Sequence, residues 1–165
     1  LTALLNSTLA AAATFSVTNY GMDSSTCGSS AHPCRSISQA IENASDHDTI
    51  WVGAGHYGDL NGDGNFADPG DEHATADCVI CVTKSLHIYS FNGAAVTIID
   101  SGPSGGSPAT VRLTADGTIF GAVGHGFTIT GGNTIGVLVD RALAVALTAD
   151  IVVAGNIDLK DGTGF

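Results

Sequence analysis

The chain has 165 residues, 44% of them apolar, 6% aromatic and 13% charged, with 22 glycines and a net charge of −11 from five Lys+Arg against sixteen Asp+Glu. That length allows one domain with its own core, and so few cations cannot neutralise phosphates, which excludes nucleic-acid binding and docking on anionic membranes. Many glycines among short β-branched runs predict many short strands joined by turns, and the low charged fraction argues against disorder.

The first segment, residues 1–13, is apolar and alanine-rich. It resembles the small-residue end of a secretory signal, and needs its own core or a neighbouring molecule to pack on. Formal glycosylation triplets begin at Asn6 and Asn43, so glycans join the expected partners. A strand is expected at Thr14–Val17, followed by a Gly/Ser loop carrying Cys27 and Cys34. R-S-I-S-Q-A-I-E-N-A predicts a helix, because Ile37, Ala40, Ile41 and Ala44 share one face. Ser36 and Gln39 have capping-box spacing, and Pro33 precedes them.

Thr49–Val52 predicts a short buried strand, followed by a Gly-rich turn and an acidic insertion over residues 58–77. From Cys78 the chain becomes a series of short apolar runs, from C-V-I-C-V and L-H-I-Y-S to D-I-V-V-A and I-D-L. The longest apolar region, Gly136–Ala154, is broken by Asp140, Arg141 and Asp150, so no membrane span is expected. The runs recur: G-F-T-I-T-G, beginning at Gly126, matches D-I-V-V-A-G, beginning at Asp150, and so places Ile129 with Val153. Asp100 and Asp140 close two further units, nearly two such periods apart. A period in the low twenties with no helix between strands predicts a solenoid, against the alternative of a β-sandwich.

The four cysteines form two close pairs, Cys27 with Cys34 and Cys78 with Cys81. Zinc prefers two C-x-x-C knuckles, and only Cys78 and Cys81 have that form. Two local disulfides in an oxidising compartment are therefore expected. Residues three apart in a strand lie roughly 10 Å apart, so joining Cys78 to Cys81 needs a turn or bulge, with buried free thiols as the alternative.

In the acidic insertion, Asp59, Asn61 and Asp63 alternate before Gly64, with Asn65 following. This is the D-x-N-x-D-G pattern that EF-hand and dockerin-type calcium loops resemble, and calcium takes six to eight such hard oxygens. The twelfth position is Gly70 rather than an acid, so Asp68, Asp71 or Glu72 must complete the ligand set. Of the six histidines, only His56 and His73 flank this loop; none forms a metal-binding pair in sequence.

The stretch from Thr14 to Tyr57 resembles the opening of secreted right-handed parallel β-helix proteins, the pectate-lyase-like superfamily: a strand, a Gly/Ser loop with Pro, an I-x-x-A-I helix, a D-T-I-x-V strand and a G-x-Y turn. The resemblance implies an all-β fold, a short right-handed parallel β-helix (solenoid) over 14–165 with the helix capping its N-terminal end. It does not by itself imply an activity. A lyase of that type needs a basic residue, for which Arg35, Lys84, Arg112, Arg141 and Lys160 are the candidates. A hydrolase needs clustered carboxylates, for which Asp100, Asp116 and Asp140 are the candidates. With so few bases, the expected function is a non-catalytic extracellular structural or cell-surface protein, stabilised by calcium and self-associating head to tail as a fibre subunit. A carbohydrate-active enzyme, or a fragment of one, acting on acidic polysaccharide is the alternative.

Overall fold

The computed structural model describes residues 11–59, 63, 65, 68, 71–102, 108–131 and 135–140, and the backbone of 146–147, 152–153 and 156–160. The rest of the apolar first segment, Asn6 included, lies outside them, as do Asn61, Gly64, Gly70 and Arg141.

The elements run β1 (Thr14–Val17), α1 (Ile37–Asn43), β2 (Thr49–Val52), β3 (Gly55–Tyr57), β4 (Cys78–Val82), β5 (His87–Ser90), β6 (Thr97–Asp100), β7 (Ala109–Leu113), β8 (Ile119–Phe120), β9 (Thr128–Thr130), β10 (Ile135–Asp140), β11 (Ala146–Leu147), β12 (Val152–Val153) and β13 (Asn156–Lys160). They form three sheets, ordered β1-β2-β5-β8-β11, β3-β6-β9-β12 and β4-β7-β10-β13. From β2 onward, each successive trio of strands therefore places one strand in each sheet. Every pairing between these strands is parallel, which excludes the antiparallel β-sandwich.

Register aligns the buried side chains in rows. Ile50 pairs with Ile88, and Ile88 with Phe120. Tyr57 pairs with Ile99, and Ile99 with Ile129. Ile80, Val111 and Val137 form a third row, and Val82, Leu113 and Val139 a fourth. All of these residues are buried. Phe120 stacks on Phe127 at 4.8 Å between ring centroids. A one-residue slip in any sheet would turn such a row to water, so the apolar pattern fixes the register.

The expected match of Ile129 with Val153 is observed. The expected equivalence of Asp100 with Asp140 is not: Asp100 pairs with Thr130 in one sheet, whereas Asp140 pairs with Lys160 in another. The reason is a shrinking step. Along the row that runs Tyr57, Ile99, Ile129, Val153, each sequence interval is shorter than the one before it. A single period can match only part of such a chain. Strand β3 is not foreseen either, because its G-H-Y sequence carries one buried residue and looks like a turn.

Helix α1 has only seven residues, too few to hold alone in water. Its face of Ile37, Ala40, Ile41 and the following Ala44 is buried in the common core, against β1, β2 and β4. Ser36 accepts from the Gln39 N–H at 3.0 Å, as the capping spacing predicts. The reciprocal half of the box does not form. Gln39 instead donates to Glu42 and Asn43, and the Ser36 N–H donates to Asp23.

Candidate functional site

Gly58 opens the acidic insertion with φ at +142°, and a Cβ there would collide with the Asp100 carbonyl, so only glycine fits. Beyond it, carboxylate oxygens of Asp59, Asp63 and Asp71 lie within 4.8 Å of one another. The Asp63 N–H donates to Asp59, and the Asn65 N–H to Asp63, which folds the segment around these oxygens. The Asn65 side-chain amide donates to Asp68 at 2.7 Å. Three hard oxygen donors with no sulfur or imidazole among them fit calcium by type. Of the seven residues expected as ligands, the structure thus gathers Asp59, Asp63 and Asp71, places Asn65 and Asp68 beside them, and leaves Asn61 outside the described residues.

Glu72 goes elsewhere. It is fully buried, and its two oxygens face the start of α1. Oε1 accepts from the Ile37 N–H at 2.7 Å; Oε2 accepts from the Ser38 N–H at 2.7 Å and from the Ser38 hydroxyl at 2.5 Å. These amides have no partner within the helix, and a carboxylate complements the positive end of its dipole. Burial pushes the Glu72 carboxyl up to about 7, while the Ser38 hydroxyl and the two amides pull it down and Asp23 adds a smaller upward push. The chain thus divides two adjacent acids: Asp71 belongs to the loop and Glu72 to the helix.

The other end of α1 is held by Lys84, a candidate catalytic base by sequence. Its Nζ donates to the carbonyls of Ile41, Glu42 and Ala44 at 2.8, 2.9 and 2.6 Å. These are the carbonyls a helix C-terminus leaves unpaired. Arg112 is equally engaged. Its guanidinium bonds Asp140 and reaches Asp77 at 3.1 Å, joining β7, β10 and the turn before β4. The hydrogen bond it donates to Asp140 holds that guanidinium above its usual range. The Arg35 backbone N–H donates to Asp23 at the entry to the helix, while its side-chain Nε is buried with no hydrogen-bond partner among the described residues. Asp100, Asp116 and Asp140 lie on β6, in the turn before β8 and on β10, and Asp140 is taken by Arg112. His73 turns to Glu42 at 3.1 Å rather than to His56.

Both expected disulfides are present, Cys27–Cys34 and Cys78–Cys81, and no cysteine is a free thiol, which removes the zinc and free-thiol alternatives. The Cα atoms of Cys78 and Cys81 are 5.6 Å apart, far short of an extended strand, so β4 bends as the spacing required. Cys78, Val79 and Ile80 are buried in succession at that bend. The Asn43 side-chain amide donates to the carbonyls of Ser24 and Cys27 and so ties the first disulfide loop to α1. A glycan on that nitrogen would displace these bonds, so the Asn43 triplet is a structural contact here. No helix among the described residues is long and apolar enough to cross a membrane.

The outer face of the first sheet also carries an aromatic cluster. Trp51 on β2 and Tyr89 on β5 are register partners whose rings lie 5.2 Å apart on the outer face of their sheet. Phe91 and His125 meet Trp51 edge-on, at 5.9 and 5.2 Å. The alternating patterns T-I-W-V and H-I-Y-S held that signal, since Ile50, Val52, Ile88 and Ser90 point inward.

The chain matches no family model, no curated protein and no solved structure.

Proposed function

We propose that the chain is a short right-handed parallel β-helix of the pectate-lyase-like kind, serving outside the cell as a non-catalytic structural or surface protein. The observation that carries this reading is the strand order, in which successive trios of parallel strands supply one strand to each of three sheets. The engagement of Lys84 and Arg112 in structural contacts supports the non-catalytic part. Two disulfides are compatible with an oxidising, extracellular setting.

Calcium at Asp59, Asp63 and Asp71 orders the insertion, and the sheet edges at β11–β13 are met by a neighbouring copy stacked head to tail. Sedimentation velocity with calcium and with a chelator tests the reading. The expected result is assembly in calcium that reverses on chelation, and a calcium-dependent rise in melting temperature that Asp63→Ala abolishes. A strictly monomeric protein in calcium would overturn the self-association. Release of unsaturated uronic acid from pectate, lost in Arg112→Ala, would replace the structural reading with an enzymatic one.

A further inference from the structure

We infer that the aromatic groove at the end of β2, between the turn after β1 and the turn after β5, is a binding site for a neutral glycan. The groove holds about 360 Å³ and is lined by Ser16, Thr18, Tyr20, Trp51, Phe91 and Asn92, with backbone of Gly53 and Ala54. Its volume falls within the range of small-ligand sites. Tyr20 is 86% exposed and Phe91 66% exposed, so two large aromatic rings stand in water in the groove that Trp51 also lines. Apolar area of that kind is costly to leave uncovered and marks interaction surfaces.

Charge narrows the occupant. No lining residue of this groove is Asp, Glu, Lys, Arg or His, in a chain whose net charge is −11. An acidic polysaccharide finds no cation here. A protein partner selected by this acidic chain would bring cations, and it finds no anion here. The lining is not purely apolar either. Ser16 and Asn92 contribute hydrogen-bonding groups, and the buried Thr18 hydroxyl has no hydrogen-bond partner among the described residues. Its methyl lies beside Gly53, on the groove wall. One χ1 rotamer step carries the hydroxyl to the methyl's present place, and the methyl to that of the Cβ hydrogen, which turns the donor toward a ligand. A lipid would leave these polar groups unmatched. A neutral sugar ring matches both halves of the surface, with C–H faces for the rings and hydroxyl edges for the polar groups. Tyr89 beside Trp51, and His87 6.3 Å from Tyr89, continue the platform along β5 for the next part of such a chain.

Trp51 is the sole tryptophan of the chain, so its fluorescence reports on this groove alone. The test titrates the whole protein with cellohexaose, xylohexaose, mannohexaose and hexagalacturonate. The expected result is a saturable emission change with at least one neutral oligosaccharide and none with hexagalacturonate. Tyr20→Ala and Phe91→Ala should each weaken that binding about tenfold. Both side chains are exposed, so the melting temperature should not move. No saturable change with any neutral sugar at millimolar concentration would overturn the site, as would an equal response to hexagalacturonate. Emission that instead changes with protein concentration, and loses that dependence in both variants, would assign the groove to a contact between copies and overturn the glycan.

Discussion

The two edges of the three-sheet stack differ in what satisfies the backbone. At the first edge, the outer side of β1 is covered: the Ser16 N–H donates to Gly28, the Cys34 N–H to Ser16, and the Thr18 N–H to Cys34. Helix α1 closes the core there, with Glu72 on its first amides and Lys84 on its last carbonyls. At the opposite edge, β11, β12 and β13 each pair on one side only among the described residues. The first edge is finished by the backbone of the Gly28–Cys34 loop and by side chains from further along the chain, whereas the second has no further pairing partner among the described residues. A seven-residue helix acts as a lid here with both ends held by side chains from further along the chain, the Glu72 carboxyl on its first amides and the Lys84 ammonium on its last carbonyls.

The sharpest way to break this contrast is Glu72→Ala. It orphans two buried amides and a hydroxyl, and should cost about 4 kcal/mol, a fall in melting temperature on the order of 10 °C. A loss under about 1 kcal/mol would mean that water replaces the carboxylate and the lid is not clamped.

Acidity probes the same residue. The folded carboxyl lies near 7 against an ordinary 4.5, so the folded state holds an extra proton between those values. Its contribution is fully present below about pH 4.5 and is lost as pH rises through about 7, on the order of 3 kcal/mol in all. Denaturant melts across this interval should show stability falling in the parent, with a flatter profile in Glu72→Gln. A rise in the parent relative to that variant would show that the three donors outweigh burial.

Smaller effects sharpen the comparison. Replacing Cys27 and Cys34 with serine should cost about 2.5 kcal/mol, from the freed loop in the unfolded chain. Lys84→Met keeps much of the stem and removes the charge; about 1.5 kcal/mol is expected, measured by chemical denaturation. An unchanged midpoint in Lys84→Met would show that solvent serves those carbonyls equally well.

Much of the strand layout was legible because alternation and β-branched runs are local. T-F-S-V, T-I-W-V and C-V-I-C-V mark β1, β2 and β4 at their observed bounds. The match between the runs at Gly126 and Asp150 found Ile129 with Val153 because the turns between those strands are short. It failed for Asp100 because the segment from Ile99 to Ile129 is longer than that from Ile129 to Val153. The alternation of Asp59 and Asp63 is local, whereas the closeness of Asp71 to them was open, one of three acids that could stand in for Gly70. The destination of Glu72 was not legible, since it depends on Ile37 and Ser38, which lie 35 and 34 residues away in sequence. Lys84 hid for the same reason, its carbonyl partners being 40 to 43 residues distant.

Hydrogen exchange followed by mass spectrometry at several protein concentrations, in calcium, tests the contrast between the two edges most directly. The amides of α1 should be protected at every concentration, because their partners lie within the chain. Under the proposed head-to-tail stacking, those of β11, β12 and β13 should exchange quickly when dilute and slow as concentration rises. Equal, concentration-independent protection at both edges would contradict the account.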